Sequence, residues 1–157
     1  MANFVFNYGK KALMVGSFNL GGSTAVTFPI PLRMLLATNS FAPDIDAMSY
    51  RGSITGTLEV SGSGYTAGGF FMSSPNIQQD NTLNQGILYA TALFLSPITF
   101  TSALYAVVFG SSGLGIASDP LLCALDLGTD PASGNYWAIT AGTFNITFAA
   151  AGILALT

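Results

Sequence analysis

Ile98-Thr99-Phe100-Thr101-Ser102-Ala103-Leu104-Tyr105-Ala106-Val107-Val108-Phe109 opens with apolar residues at alternate positions and closes apolar on both sides. Successive side chains of a strand point to opposite faces. The opening part therefore reads as a half-buried antiparallel strand with a hydroxyl-lined outer face, and Leu104 to Phe109 as a strand covered on both faces. Working outward, Thr143 to Phe148 repeats the alternation. So does Ser53-Ile54-Thr55-Gly56-Thr57-Leu58-Glu59-Val60, with Ile54, Leu58 and Val60 on one face and Thr55, Thr57 and Glu59 on the other. Leu32 to Ala37 and Leu121 to Leu127 are again apolar on both faces. Gly-, Ser- and Asn-rich turns separate these runs, among them Gly21-Gly22-Ser23, Gly62-Ser63-Gly64, Gly110-Ser111-Ser112-Gly113, Gly128-Thr129-Asp130-Pro131 and Ser133-Gly134-Asn135. Short strands between such turns predict an all-β fold, an antiparallel, jelly-roll-like β-sandwich. A strand apolar on both faces lies at the centre of such a sandwich or has one face covered by a neighbouring subunit.

Residues 3–15 are the exception and predict a short N-terminal helix. Asn3 can cap it, Phe4, Tyr8, Lys11 and Val15 share a side, and Lys10 and Lys11 sit toward the end that favours cations. Gly16-Ser17 ends it, and Gly9 weakens it from within. Residues 73–86 are the most polar stretch and read as an exposed loop or arm. With no linker and no internal repeat, residues 1–157 read as one domain, comprising an N-terminal helix or arm (1–16), the sandwich and the 73–86 loop.

Composition narrows the function classes. The chain has four basic and seven acidic residues, a net charge of −3 and no histidine, while 50% of it is hydrophobic. A soluble surface is commonly about 25–35% charged, against 7% for this whole chain. Ser, Thr, Asn and Gly must wet the exterior, or other protein must cover it. Lys10, Lys11, Arg33 and Arg51 make no phosphate-binding patch, so no nucleic-acid partner is expected. Residues 81–118 and 131–157 are uncharged but broken by polar residues, Gly and Pro, so no membrane-spanning helix and no membrane partner are expected. Too few regular alternating segments exist to favour a membrane barrel. The opening residues lack a basic start and a long apolar run, so no signal peptide is expected. The single Cys123 sits among Leu121, Leu122, Ala124 and Leu125 and reads as a small buried hydrophobe.

Without histidine, Ser-His-Asp and Cys-His catalysis and His-ligated metals are unavailable. A carboxylate pair drawn from Asp44, Asp46 and Glu59, or from Asp119, Asp126 and Asp130, would suit glycoside hydrolysis, but turn-forming Asp explains these positions better. The second trio could also ligate calcium, without the spacing of a dedicated loop. Gly62 to Gly69 lacks the Lys-Ser/Thr ending of a phosphate loop. Asn145-Ile146-Thr147 matches a glycosylation sequon in mid-strand and reads as chance. Tyr136-Trp137 near Asp130 is the one aromatic–carboxylate cluster suited to sugar, and Trp137 reads better as core. No catalytic residue, metal or cofactor is expected. The 12 Phe, 6 Tyr and 1 Trp exceed what one sandwich readily hides, and aromatics with few charges characterise interface cores.

Two segments carry a resemblance. Met1-Ala2-Asn3-Phe4-Val5-Phe6-Asn7, continuing through Lys10-Lys11-Ala12-Leu13 to Gly16-Ser17-Phe18-Asn19-Leu20, looks like the start of small structural proteins from the head-gene modules of tailed bacteriophages. Glu59 with Gly64-Tyr65-Thr66-Ala67-Gly68-Gly69 is similar to their Glu…Gly-Tyr-x-x-Gly-Gly pattern. Ile98 to Thr101, Tyr105 to Val108, Leu121 to Gly128 and a closing Phe144-Asn145-Ile146…Gly152-Ile153-Leu154 follow in order. The low charge and Pro29-Ile30-Pro31 depart from that family. The resemblance implies a virion protein on the capsid exterior, a decoration (cement) protein that binds the major capsid protein as a homotrimer. A head–tail connector or tail protein is the alternative, and a carbohydrate-binding module or glycoside hydrolase the second. On composition, the self-contact falls to Leu35, Tyr105, Val107 and Phe109, and the capsid contact to Phe4, Phe6, Asn76, Gln78 and Gln79.

Overall fold

A computed structural model describes residues 3–14, 31–73, 75–90, 93–111, 117–130, 134–148 and 152–156. The turn at Gly16-Ser17, the Gly21-Gly22-Ser23 turn and Pro29-Ile30 lie outside them.

The opening stretch of the sequence analysis lies in the strand around which everything else is arranged. β6 (Leu93–Gly110) runs for 18 residues. Its first part pairs with β8 (Trp137–Ile146). Its second part pairs with β2 (Leu32–Thr38) along one edge and with β7 (Leu121–Asp126) along the other. β1 (Asn3–Val5) extends the sheet beyond β7, and β3 (Phe70–Phe71) extends it beyond β2. A second sheet has the order β4 (Asn76–Asp80), β5 (Gln85–Tyr89), β9 (Leu154–Leu156). Every pairing is antiparallel. The fold is all-β and sandwich-like, with one short helix, α1 (Asn7–Met14).

The two-faced apolar strands are buried by the chain itself. One cluster joins Leu32, Met34 and Leu36 of β2 and Ala106 and Val108 of β6 to Phe100, Phe144, Leu88 of β5 and Ile153. The other face of the same strands, with Leu35, Ala37, Val107, Phe109, Leu121 and Ala124, packs under Phe6, Phe41 and Ile54. Residues 39–60 thus form a third layer over the large sheet. Burying each such side chain stabilises the fold by about 1.5–3 kcal/mol, so both faces contribute to the core.

Three local expectations are corrected. Asn3 is a strand residue paired with Leu125 rather than a helix cap, and α1 starts at Asn7. Gly9 belongs inside that helix because a Cβ there would stand 2.7 Å from the Leu121 carbonyl oxygen and 2.9 Å from that of Leu122. The helix lies directly on the β7 backbone. Residues 53–60 are not a strand: Arg51–Ser53 and Gly56–Leu58 are single 3₁₀ turns, and Gly56 sits at φ +62°. Their alternation still reports burial, with Ile54 and Val60 buried and Thr55 and Thr57 exposed. Finally, the polar 73–86 stretch contains the β4–β5 hairpin. The Asp80 carboxylate accepts the Thr82 and Leu83 amides at 2.8 and 3.1 Å and shapes its tip.

Candidate interaction surfaces

Glu59 is where the second resemblance motif comes together. Its Oε1 accepts the Tyr65 hydroxyl at 3.0 Å and the Gly68 amide at 2.5 Å, and its Oε2 lies 3.7 Å from the Arg51 guanidinium. The Tyr65 hydroxyl in turn accepts the Leu36 amide of β2 at 3.0 Å. Burial, reinforced by the nearby Glu59 carboxylate, pushes the Tyr65 hydroxyl well above its ordinary range even though the Leu36 amide acts the other way. Gly69 has φ +69°, and a Cβ on it would run into the Met34 carbonyl. Glu…Gly-Tyr-x-x-Gly-Gly is therefore a clamp that folds residues 59–69 onto β2.

The remaining carboxylates are mostly turn-formers. Asp44 accepts the Asp46 and Ala47 amides at 3.0 Å each, and Asp126 accepts the Gly128 amide at 2.8 Å. Asp46 accepts the Asn7 side-chain amide at 2.5 Å, tying the 44–47 turn to α1. Asp130 closes its loop through its backbone, accepting from Gly134 and donating to Asn135. Asp119 is buried, and its carbonyl accepts the Arg51 amide at 2.8 Å. Among the described residues no three His, Cys, Asp or Glu side chains group to hold a metal ion. Cys123 is buried, and burial pushes its thiol up to about 12, which leaves it unreactive at neutral pH.

The predicted contact residues separate into two groups. Leu35, Val107 and Phe109 have 0% exposure within the single chain, so they are core and not a self-contact surface. Tyr105 is half-buried, its ring edge-on to Phe41 at 5.6 Å and to Phe4 at 6.2 Å. The layer formed by residues 39–60, which the sequence analysis did not foresee as a cover, takes the place expected for a neighbouring subunit. Phe6 is likewise fully buried and does not reach outward, while Phe4 is half-buried. Asn76, Gln78 and Gln79 are exposed along β4, the edge strand of the small sheet, and Leu83 is 63% exposed at the hairpin tip.

Two surfaces were not singled out from sequence. An open apolar groove of about 430 Å³ runs beside β8, lined by Leu125, Leu127, Trp137, Ile139, Phe144 and Phe148 among others. Trp137 serves both core and groove: its indole N–H donates to the Leu127 carbonyl at 3.2 Å and its ring packs edge-on to Phe144 at 5.8 Å. The other is the corner at β3, where Phe71 is 59% exposed and the Arg33 guanidinium covers its ring at 4.6 Å. The sequence carries no signal for it, because Arg33 and Phe71 are far apart in the chain and only the pairing of β2 with β3 brings them together. No helix among the described residues is long and apolar enough to cross a membrane.

The fold and these surfaces define an antiparallel, two-sheet, all-β protein with its polar groups committed largely to shaping turns. Comparison with protein-family models, with curated proteins and with solved structures finds no match to this chain.

Proposed function

We propose that this chain is a non-enzymatic structural protein of a virus particle, a decoration protein that binds the major capsid protein from the capsid exterior as a homo-oligomer. The carrying observation is the β4–β5 hairpin. It presents an amide-rich edge strand with Asn76, Gln78 and Gln79 exposed, whose one charged residue, Asp80, is engaged by the turn amides, and it ends in the exposed Leu83. An open strand edge offers backbone donors and acceptors to a partner strand, and the side chains on it set specificity. Many weak contacts of this kind, repeated over a shell, hold through avidity. A homotrimer would use the outward apolar area beside β8 and not Leu35, Val107 and Phe109, which the chain has already buried.

The test is particle composition. Gradient-purified particles from the host carrying this sequence should contain the chain in numbers comparable with the capsid subunit. A low copy number matching a single ring would favour the connector or tail alternative, and absence from particles would refute the virion reading. One observation favours the carbohydrate-binding alternative: Trp137, Asp126 and Asn145 line the same groove. Glycan binding lost on Trp137→Ala would move the assignment there.

A further inference from the structure

We infer that the corner of the large sheet built from Arg33, Phe71 and Arg51 is a docking site for an acidic side chain, Asp or Glu, of a protein partner. Charge bookkeeping comes first. Arg51 pairs with Glu59 at 3.7 Å, and Arg33 pairs with no carboxylate among the described residues. Arg33 thus keeps its charge without a carboxylate partner among the described residues, in a chain whose net charge is −3. The hydrogen-bond account agrees. A guanidinium carries five N–H donors. Arg33 gives Nη2 to the Gly69 carbonyl at 2.6 Å, while Nε of both Arg33 and Arg51 is buried without an acceptor. Those Nε atoms are out of a partner's reach, so an arriving carboxylate would meet the Nη end of the half-buried Arg33 through charge-assisted hydrogen bonds.

Geometry adds orientation. Arg33 and Phe71 are cross-strand partners on β2 and β3, and β3 is the outermost strand on that side among the described residues. The guanidinium lies 4.6 Å from the centre of a ring that is itself 59% exposed. Arg51 is held behind it, 5.5 Å from the Phe109 ring. Stacking fixes the Arg33 guanidinium before a partner arrives, and both arginine and aromatic side chains are enriched at interfaces. A partner strand laid along β3 would cover the Phe71 ring with its own apolar residue while its carboxylate meets Arg33.

This inference rests on the reading that the chain works by binding protein, and its test does not need that partner. The two arginines give two Nε–H signals in a proton–nitrogen spectrum. The probes are a capped five-residue peptide with one central Glu, its Gln twin and inorganic phosphate. The Glu peptide should move the Arg33 signal saturably at millimolar concentration, about tenfold more tightly than the Gln twin, and less tightly as salt rises. Phe71→Leu, which keeps the sheet edge apolar, should weaken the Glu peptide at least threefold with the rest of the spectrum unchanged. Equal binding of the Glu and Gln peptides, equal binding of phosphate, or no saturable shift each overturns the site. Any of these would leave particle association, tested separately above, untouched.

Discussion

Tyr65 donates its hydroxyl hydrogen to the Glu59 carboxylate at 3.0 Å, and the same oxygen accepts the amide of Leu36 from the middle of the large sheet. Removing that one oxygen leaves the Leu36 amide without this acceptor and takes one donor from the part-buried Glu59 carboxylate. Tyr65→Phe should therefore cost about 2–3 kcal/mol, above the usual ~1 kcal/mol for one hydrogen bond. At this chain length the melting temperature should drop by roughly 4–10 °C. Glu59→Gln should be non-additive with it in a double-mutant cycle read by calorimetry. Simple addition of the two effects would mean the clamp is not a unit.

Alkaline pH should unfold the protein through two buried groups. Both Cys123 and Tyr65 hold their protons more tightly folded than unfolded, the thiol rising from 9.0 to about 12 and the phenol rising above its ordinary 10.0. A proton retained only by the native state favours folding fully below the unfolded value, and that contribution is lost as pH rises. Stability should fall from about pH 9 upward, by about 1.4 kcal/mol per pH unit for each group within its window. Denaturant midpoints between pH 8 and 11 measure this. Cys123→Ala should flatten the part of the slope that begins near 9; an unchanged slope would refute the assignment.

Gly69 and Gly134 share φ +69° but not their surroundings. A Cβ on Gly69 would collide with the Met34 backbone, whereas one on Gly134 meets nothing within 4 Å. Gly134→Ala should cost only the left-handed penalty, about 1–2 kcal/mol. Gly69→Ala must also push residues 66–69 off β2, and little folded protein is expected. Thermal melts of the two variants side by side decide it, and comparable losses would contradict the close approach.

Phe6→Ala removes a ring that has no exposure, so about 3–5 kcal/mol should be lost. Phe4→Ala, at a half-buried position, should cost less than half as much. Chemical denaturation of the purified variants gives both numbers. A mild Phe6 variant that fails only in particle binding would restore the outward-reaching arm that the structure replaces with core.

What the sequence made legible follows from what each pattern physically encodes. Leu32 to Ala37, Leu104 to Phe109 and Leu121 to Leu127 were readable because central strands are covered on both faces. Their cover was not, since Phe41 and Ile54 lie in a segment whose backbone turns where its hydrophobic pattern alternates. Period-two burial needs only that alternate side chains face the sheet, and two 3₁₀ turns around Gly56 satisfy it as well as a strand does. The β4–β5 hairpin hid behind its polarity: backbone pairing holds its outer end, so Gln78 and Gln79 can face water on a regular strand. The Glu59–Tyr65 part of the clamp was quoted as a motif without a role, and Arg51 was not connected to it, because nothing in the spacing says that Tyr65 turns back to Glu59. Asn3 and Gly9 were misjudged for one reason, the close approach of β7, which lies more than a hundred residues away in sequence.

That same pairing of Asn3 with Leu125 sets a timetable. During synthesis, β1 must wait until about 120 further residues have been added, and ribosomes add roughly 5–20 residues per second. β2 cannot pair with β6 until residues 103–110 exist, and β7 follows later still, so the centre of the large sheet assembles long after its first strands are made. For several seconds a charge-poor chain carries its strands unpaired, with little electrostatic repulsion to keep neighbouring nascent chains apart. The yield of folded protein in a cell is then governed by how quickly residues 103–126 follow residues 3–38, and slower synthesis or crowded polysomes should divert it into aggregates even when the finished fold is stable.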